Sequence, residues 1–444
     1  MTASPPELTP PPREDVRTRR LIGVDIARFV AVLGMFVIHF GAPFLSGTGE
    51  ARAAQFASGR ATALFTVLAG VSLALLSGRG APLRGTALRT ARTRIAVRAV
   101  LLVVLGIALA WATAPAGFLL TVIIPFYGMY FLLAVPFVGL GARGLVIAAS
   151  VAALVGPQLS FLLRSGMAAD TPLALLVDSV NAVDPGHLLA ASGVFDLLLL
   201  GFYPAASYLA LVLAGLAVGR LDLRSGAVRL RLGVVGLLLA VGSAALSQAL
   251  VEWFGVDPEG MAQGAVPVDH PEWLLAGVAH SGTTFELAGS GGIALVVLAM
   301  CLELADRTGK VLLPLAWAGS MALTLYALHA LVMTWQIVVG GWVLGSAPEF
   351  LVELASLGPA MPELPDLPDF PRDGHRPEGV MAWVHASMPE LFLLFSLVFA
   401  AAWHRRFRRG PLEALVSEAV ARITTALTRA PAPAAPEVRA ERHP

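Results

Sequence analysis

The chain has very little cysteine and few charged residues. Cys301 is the single cysteine among 444 residues, which excludes an intrachain disulfide and a cysteine-ligated zinc site. Charged residues make up 14% of the chain, whereas soluble proteins carry about 25%. Hydrophobic residues make up 57%, a composition that indicates a polytopic membrane protein.

Several motifs of soluble enzymes are missing as well. The histidines form no HExxH or HxH pattern, and no Walker motif or well-placed GxGxxG occurs. We therefore expect no bound metal, no nucleotide hydrolysis and no nucleic-acid partner.

Long apolar segments recur along the chain, and a membrane-spanning helix needs about 20 such residues. They predict an all-α fold, a polytopic bundle of about ten transmembrane helices embedded in a lipid bilayer. The predicted spans are residues 20–42, 57–77, 95–114, 117–139, 144–163, 201–219, 232–251, 284–302, 316–342 and 386–404. The apolar, Asp-containing stretch 176–200 is predicted to be an amphipathic segment outside the membrane.

Charged residues alternate between the two sides of this predicted bundle. Arginines concentrate in the loops at 79–98 and 220–231, and acidic residues in those at 170–184 and 257–269. Loops rich in Lys and Arg stay in the cytoplasm, so both termini are predicted to be cytoplasmic. We expect an integral protein of a bacterial-type plasma membrane.

The bundle is predicted to occupy residues 20–410, after a disordered cytoplasmic N-terminus at 1–19. Residues 411–428 indicate a cytoplasmic surface helix, and the Ala- and Pro-rich residues 429–444 a disordered tail.

The first apolar segment, 21–42, carries Asp25, Arg28 and His39, although charges inside a span are costly and usually functional. At about 100° per residue, Arg28 lies about 300° and His39 about 320° from Asp25, so all three share one helix face. His39 can act as a base or be acylated itself, and the alternative is a packing histidine. Asp25 and Arg28 form either a structural ion pair or a site for an anion.

Polar groups in other predicted spans also have two interpretations each. Arg60 either holds an acceptor or extends to the interface, and Glu286, near His280, is either part of a site or solvated. Tyr127 is either an oxyanion donor or a buried core tyrosine, and His329 is a site residue or an interhelical donor.

Tyr127 follows Pro125, which predicts a helix kink. Arginines of the basic loop, among them Arg94 and Arg98, either bind phosphates or only set the topology.

Several segments together resemble a known family. They include GVDIARFVAVLGMFVIHF, GRATALFTVLAGVSLAL, IIPFYGMYFLLAVPF, HSGTTFELAGSGGIAL, LAWAGSMALTLYALHALV and WHRRFRRGPLEAL, and they cover most of residues 21–415 in order. The set resembles the transmembrane acyltransferase superfamily, in particular its YeiB-like branch, relatives of heparan-alpha-glucosaminide N-acetyltransferase. In this resemblance Gly410 to Glu413 match a C-terminal signature, and Asp25 and Arg28 match the Asp-x-x-Arg pair.

The resemblance implies transfer of an acyl group from cytoplasmic acetyl-CoA, or another acyl-CoA, to an extracytoplasmic sugar, glycolipid or similar acceptor. The predicted site residues are His39 and Tyr127 for catalysis, Asp25, Arg28, Arg94 and Arg98 for acyl-CoA, and Arg60, His280, Glu286 and His329 for the acceptor. The alternative function is a transporter or flippase for an amphiphile, without acyl chemistry. A homodimer is compatible with the sequence.

Overall fold

The computed structural model describes residues 21–41, 55–167, 171–258, 264–343 and 387–428. Within these ranges every regular element is helical, which confirms the predicted all-α fold. The α-helices are α1 Ile22–Phe36, α2 Arg60–Leu76, α3 Gly85–Ala112, α4 Ile124–Ala134, α5 Ala142–Met167, α6 Pro172–Asn181, α7 Pro185–Ala190, α8 Ala205–Val218, α9 Gly226–Phe254, α10 Thr284–Thr308, α11 Leu313–Gly319, α12 Ala322–Val343, α13 Met388–Arg406 and α14 Pro411–Thr428.

Six helices in the described part of the chain are long and apolar enough to cross a membrane. They are Ile22–Phe40, Gln55–Leu76, Gly85–Ala112, Ala142–Met167, Gly226–Phe254 and Thr284–Thr308. A seventh span results if α11 and Ala322–Val338, which meet at 73°, count as one bent span. These helices establish an integral membrane protein.

The other predicted spans are shorter helices in the structure. Residues 117–139 contain the 11-residue α4, and 201–219 contain the 14-residue α8. The last predicted span, 386–404, corresponds to the 19-residue α13. Helices as short as α4 and α8 do not reach the length of about 20 residues that a straight span needs. The number of spans therefore stays a prediction.

The helix α3 is longer than the sequence predicted. Its apolar part suggested a span from residue 95, after a basic loop with arginines from Arg79 to Arg94, yet the helix begins at Gly85. Arg94 therefore lies on a helix rather than in a loop, which corrects the prediction, and Arg98 lies on the same helix. Arginine side chains have long apolar stems and reach polar surroundings from a helix, so hydropathy alone underestimates the helix length.

The kink predicted at Pro125 is wrong. Pro125 lies in the first turn of α4, which begins at Ile124. A proline there costs no hydrogen bond, because the first N–H groups of a helix have no partner within it. The proline therefore starts the helix that carries Tyr127 instead of bending it.

Small residues bring the central helices into close contact. A Cβ on Gly215 of α8 would lie 1.9 Å from the carbonyl oxygen of Val67 on α2, and a Cβ on Gly70 would lie 2.1 Å from that of Val212. The two backbones therefore touch at these glycines, as expected for helices that associate in lipid. Any larger residue at either glycine would separate α2 from α8.

Large apolar side chains cover the outside of the bundle. On α9, Leu237, Leu238 and Val241 are more than half exposed, and on α5 the same holds for Ile147 and Leu154. A continuous exposed apolar surface of this kind fits contact with lipid chains rather than water.

The two ends of the bundle differ in charge. At the end that we call the basic end, Arg220 donates hydrogen bonds to the carbonyl oxygens of Ser77, Arg79 and Val138. It thereby caps the C-terminus of α2, where carbonyl groups lack helical partners. The opposite end, which we call the His280 end, contains the N-termini of α2 and α10.

The C-terminal helix α14 is attached to the basic end by Glu413. Its carboxylate accepts hydrogen bonds from the N–H groups of Leu323 and Thr324, at 2.7 and 3.2 Å, and from the Thr324 hydroxyl at 2.6 Å. A carboxylate at the N-terminus of α12 satisfies free N–H groups and interacts favourably with the helix dipole. This contact gives the Gly410 to Glu413 signature a structural reason.

Candidate active site

A pair of histidines lies at the end of α1. His39 is on a single π turn, Val37–Gly41, that follows α1. Its Nδ1 lies 2.9 Å from Nε2 of His329 on α12, and the two rings are nearly parallel, with centroids 5.2 Å apart. In such a contact one nitrogen donates a proton and the other accepts it. The structure thus joins the predicted base to a residue predicted for acceptor binding.

Aromatic rings surround the histidine pair. The ring of Tyr326 packs edge-on against His329 at 4.9 Å between centroids, and the ring of Phe36 lies 5.5 Å away. His329 has no solvent exposure, whereas His39 keeps a partial exposure. His39 is therefore the more accessible ring of the pair.

All five tyrosines of the chain lie in this interior. The hydroxyl of Tyr326 accepts a hydrogen bond from the N–H of Ile123, at 2.9 Å, immediately before α4. On α4, the Tyr127 hydroxyl lies 3.2 Å from that of Thr66 on α2. The Thr66 hydroxyl donates to the carbonyl oxygen of Thr62 at 2.8 Å, so the buried Tyr127 hydroxyl donates to Thr66. To donate to a developing charge, Tyr127 must exchange this neutral partner.

The remaining tyrosines form a row of rings from Tyr127 towards the His280 end. Centroid distances are 5.5 Å from Tyr127 to Tyr130, 6.3 Å from Tyr130 to Tyr208 and 5.8 Å from Tyr208 to Tyr203. The Tyr203 ring then lies 5.4 Å from His280. Sequence reasoning missed Tyr130, Tyr203 and Tyr208. The sequence did contain a signal for them: the chain has only five tyrosines, and all of them lie in apolar segments.

His280 is a buried histidine with a defined proton position. Its Nε2 accepts a hydrogen bond from the N–H of Gly59 at 3.0 Å and lies 3.2 Å from the Ser58 hydroxyl. Because Nε2 is an acceptor, the proton of the neutral ring is on Nδ1, which is buried without a hydrogen-bond partner among the described residues. Burial, and to a smaller extent the charge of nearby His39, lowers the pKa of His280 to about 4.

Glu286 is a buried acid whose carboxylate has no hydrogen-bond partner among the described residues. It lies in the first turn of α10 and is 4% exposed, which excludes the interpretation of a solvated residue at the membrane edge. Neither carboxylate oxygen has a hydrogen-bond partner in the part of the chain that the structure describes. An unpaired buried carboxylate is costly, so this group is suited to binding a proton or a ligand. Its neighbour Gly59 leaves room beside it, since a Cβ there would lie 3.5 Å from Oε1.

Arg60 contacts the residues just before α2 and makes no hydrogen bond to the Glu286 carboxylate. Its guanidinium donates to the carbonyl oxygen of Phe56 at 2.7 Å and lies 4.7 Å from the centre of the Phe56 ring. This arrangement matches the alternative of an arginine that extends to the interface.

Four predicted donor-site residues lie at the basic end. Arg28 donates to Asp25 and to the hydroxyl of Ser72 on α2, both at 2.7 Å, and its side chain is 26% exposed. Asp25 and Arg28 therefore form the ion pair that was one of the two interpretations of the sequence. The Arg28 side chain nonetheless keeps part of its surface accessible. Arg98 donates to Ser417 on α14 at 3.5 Å, and Arg94, one turn earlier, is exposed.

More positive charge surrounds Arg98. Arg28 and Arg409 are close enough to repel it electrostatically, and Glu413 is the acid that opposes them. Three arginines with two acids, Glu413 and the Asp25 that is paired with Arg28, leave a net positive charge at this mouth, which favours anions. The site offers no ligand set for a metal, because no three His, Cys, Asp or Glu residues converge within the described ranges.

The fold and these groups define a class of protein: an all-helical integral membrane protein with a polar interior lined by histidine and tyrosine. Residues 20–248, more than half of the chain, match the family described as heparan-alpha-glucosaminide N-acetyltransferase, catalytic. The chain belongs to this family, which confirms the relationship inferred from its segments. No curated protein gives a significant match to the chain. Family membership supports a membrane acetyltransferase-like function.

Proposed function

We propose that the protein transfers an acetyl or other acyl group from acyl-CoA at the basic end to an acceptor at the His280 end. The acceptor is a hydroxyl or amine of a carbohydrate, glycolipid or similar molecule. The observation that carries the proposal is the contact of 2.9 Å between His39 and His329, in an interior that has a cationic mouth at one end and polar groups at the other.

The basic end suits the donor. Coenzyme A carries phosphates, and arginine binds phosphate oxygens through charge-assisted and often bidentate hydrogen bonds. Arg28 is held in place by Asp25 and Ser72. Arg94 and Arg98 are four residues apart on α3 and so lie on one helix face. We assign these arginines to the phosphates and Asp25 to the positioning of Arg28.

The histidine pair suits the chemistry. The acceptor oxygen or nitrogen attacks the thioester carbon while His39 takes its proton, and His329 stabilises the protonated ring through their hydrogen bond. The new C–O or C–N bond forms and the C–S bond breaks. The CoA sulfur leaves as a thiolate and takes the proton back from His39. The Tyr127 hydroxyl donates to the oxyanion of the tetrahedral intermediate.

The direction of transfer follows from the charges. Loops rich in arginine stay in the cytoplasm, so the basic end faces the cytoplasm and the His280 end faces outward. The proposed topology keeps about ten spans with both termini inside. The proposed location is a bacterial-type plasma membrane, with the acceptor outside.

The test is label transfer by purified protein in lipid nanodiscs. We expect radiolabel from acetyl-CoA to pass to glucosamine or methyl β-D-glucoside, and His39→Ala to lower the rate by about 100-fold or more, the contribution of a general base. The matched control is His270→Ala, since His270 is a surface histidine with a side chain 43% exposed. Wild-type rates in the His39 variant would show that His39 only packs against His329.

A further inference from the structure

The carboxyl group of Glu286 takes no part in the transfer steps above, although it is buried where the N-termini of α2 and α10 meet. Neither of its oxygens is accessible to water or makes a hydrogen bond with the described residues. In this arrangement a proton is small enough to reach the carboxylate, whereas a water molecule or a larger ligand is not. Because an unpaired buried carboxylate is costly, Glu286 is here a neutral carboxylic acid.

The sequence around Glu286 predicts a different use of this carboxyl group. Thr283 and Glu286 have the spacing of a capping box, in which the glutamate accepts a hydrogen bond from the N–H of the threonine. Thr283 makes its half of the motif, because its hydroxyl accepts from the Glu286 N–H at 3.2 Å. The N–H of Thr283, however, donates to the Ser281 hydroxyl at 3.4 Å and not to Glu286. The carboxyl group is thus directed away from its own helix end and towards α2.

Arg60 begins beside this carboxyl group. A Cβ on Gly59 would lie 3.5 Å from Oε1 of Glu286, and Arg60 is the next residue and the first of α2. Arg60 is close enough to act on Glu286 electrostatically, yet its guanidinium donates to the carbonyl oxygen of Phe56 at 2.7 Å. It also lies 4.7 Å from the centre of the exposed Phe56 ring. The flexible stem of Arg60 therefore brings two partners within reach, an exposed carbonyl group and a buried carboxyl group.

The charge of Glu286 decides between these two partners. While Glu286 is neutral, the Arg60 guanidinium keeps the Phe56 carbonyl group and the polar surroundings of the interface. Once Glu286 loses its proton, the buried anion needs a paired cation. Guanidinium and carboxylate form strong charge-assisted hydrogen bonds, so the ionised Glu286 draws Arg60 away from Phe56.

Other ionisable groups also surround Glu286. They are Tyr130 on α4, Tyr203 before α8, Tyr208 on α8 and His280 before α10, and His39 acts on His280 in turn. The helices α5 and α9 face this part of α10 with neutral groups, the Gln158 amide and the Ser243 hydroxyl. Tyrosine is neutral near pH 7, since its ordinary pKa is about 10. Arg60 is therefore the cation that responds to the charge of Glu286.

We propose that Glu286 is a proton-binding site in exchange with the medium at the His280 end, and that its proton selects the partner of Arg60. With the proton bound, Arg60 rests on Phe56, as in this structure. When the O–H bond of the carboxyl group breaks, the proton passes to the medium and Arg60 turns inward to pair with Glu286. The proposal does not depend on acyl transfer, so it is tested without acetyl-CoA.

The experiment is a pH titration of the full-length protein in nanodiscs, with 4-fluorophenylalanine in place of Phe56. The ¹⁹F resonance reports whether the guanidinium lies over this ring, because a cation at the ring face changes the electric field at the fluorine. Between pH 5 and pH 9 we expect one shift of the resonance, with the slope of a single proton. The shift should be lost in Glu286→Gln, which stays at the low-pH position, and in Arg60→Gln, which has no guanidinium to move.

The matched control is Glu252→Gln, since Glu252 is an exposed acid near the end of α9 that accepts from Gln248. It should titrate like the fluorinated parent protein. A resonance that does not move between pH 5 and pH 9, or a shift that survives in Glu286→Gln or Arg60→Gln, would overturn the proposal. Folding of each variant is checked by thermal unfolding, and if Glu286→Gln does not fold, the result for Arg60→Gln decides alone.

Discussion

Acid should destabilise this protein through His280, and the size of the effect follows from its burial. The ordinary pKa of histidine is about 6.5, and burial lowers that of His280 to about 4. Between these two values the unfolded chain binds a proton that the folded protein does not. Stability is therefore fully present above pH 6.5 and is lost as the pH falls towards 4, by about 1.4 kcal/mol per pH unit. The total for His280 is about 3 kcal/mol.

The interior contains other ionisable groups, so the effect of His280 must be isolated. Glu286 and His39 lie in the same interior as His280. The variant His280→Gln keeps an acceptor for the Gly59 N–H but cannot bind a proton. The free energy of unfolding should be measured for both proteins in nanodiscs at intervals from pH 7 to pH 4.5.

The predicted result is a steeper loss of stability in the wild type than in His280→Gln, with a difference of about 2 kcal/mol between pH 6.5 and pH 5. His270→Gln, at a surface position, should follow the wild type. Identical slopes for wild type and His280→Gln would refute the reasoning. They would show that His280 is protonated in the fold, or that Nε2 does not accept from Gly59.

Three further predictions concern the basic end and the topology. Arg28→Gln removes one ion-pair partner of the buried Asp25 and should cost about 2 kcal/mol of stability, the contribution of a charge-assisted hydrogen bond. Asp25→Asn in the same chain should restore part of that loss, and no recovery would show that Arg28 acts alone. Glu413→Gln weakens the charged cap on α12 and should lower the free energy of unfolding by about 1–2 kcal/mol. The helix α14 should also become easier to cleave with protease. Wild-type protease resistance would show that the cap does not hold α14. Cys301 is buried, so an impermeant thiol reagent should label the wild type little. On spheroplasts the reagent should label Ala182→Cys and not Ala87→Cys, although both positions are exposed in the structure. Equal labelling of the two variants would contradict the proposed orientation.

Hydropathy predicted the longest helices well, because a long apolar segment in a lipid bilayer satisfies its backbone hydrogen bonds by forming a helix. The predicted spans 144–163 and 232–251 lie within α5 and α9. The prediction was less accurate where the chain uses short helices. The 11-residue α4 and the 14-residue α8 pack against longer neighbours. Pro136 after α4 and Gly219 after α8 are local stop signals, which a hydropathy average does not register.

The site was harder to predict than the fold. His39, His329 and Tyr127 stood out in the sequence as polar groups in apolar segments, yet nothing local showed that His39 and His329 touch. The pairing depends on the π turn at Val37–Gly41, which departs from the rotation of about 100° per residue that placed His39 beside Arg28.

The central claim is that an acyl group passes from the basic end to the His280 end. The most direct measurement uses proteoliposomes of one known orientation, with glucosamine and methyl β-D-glucoside on the His280 side. Labelled acetyl-CoA supplied only on the basic side should label an acceptor, and this labelling should be lost in His39→Ala. Acetyl-CoA supplied only on the His280 side should label nothing. Equal labelling from either side, or none in any arrangement, would contradict the account.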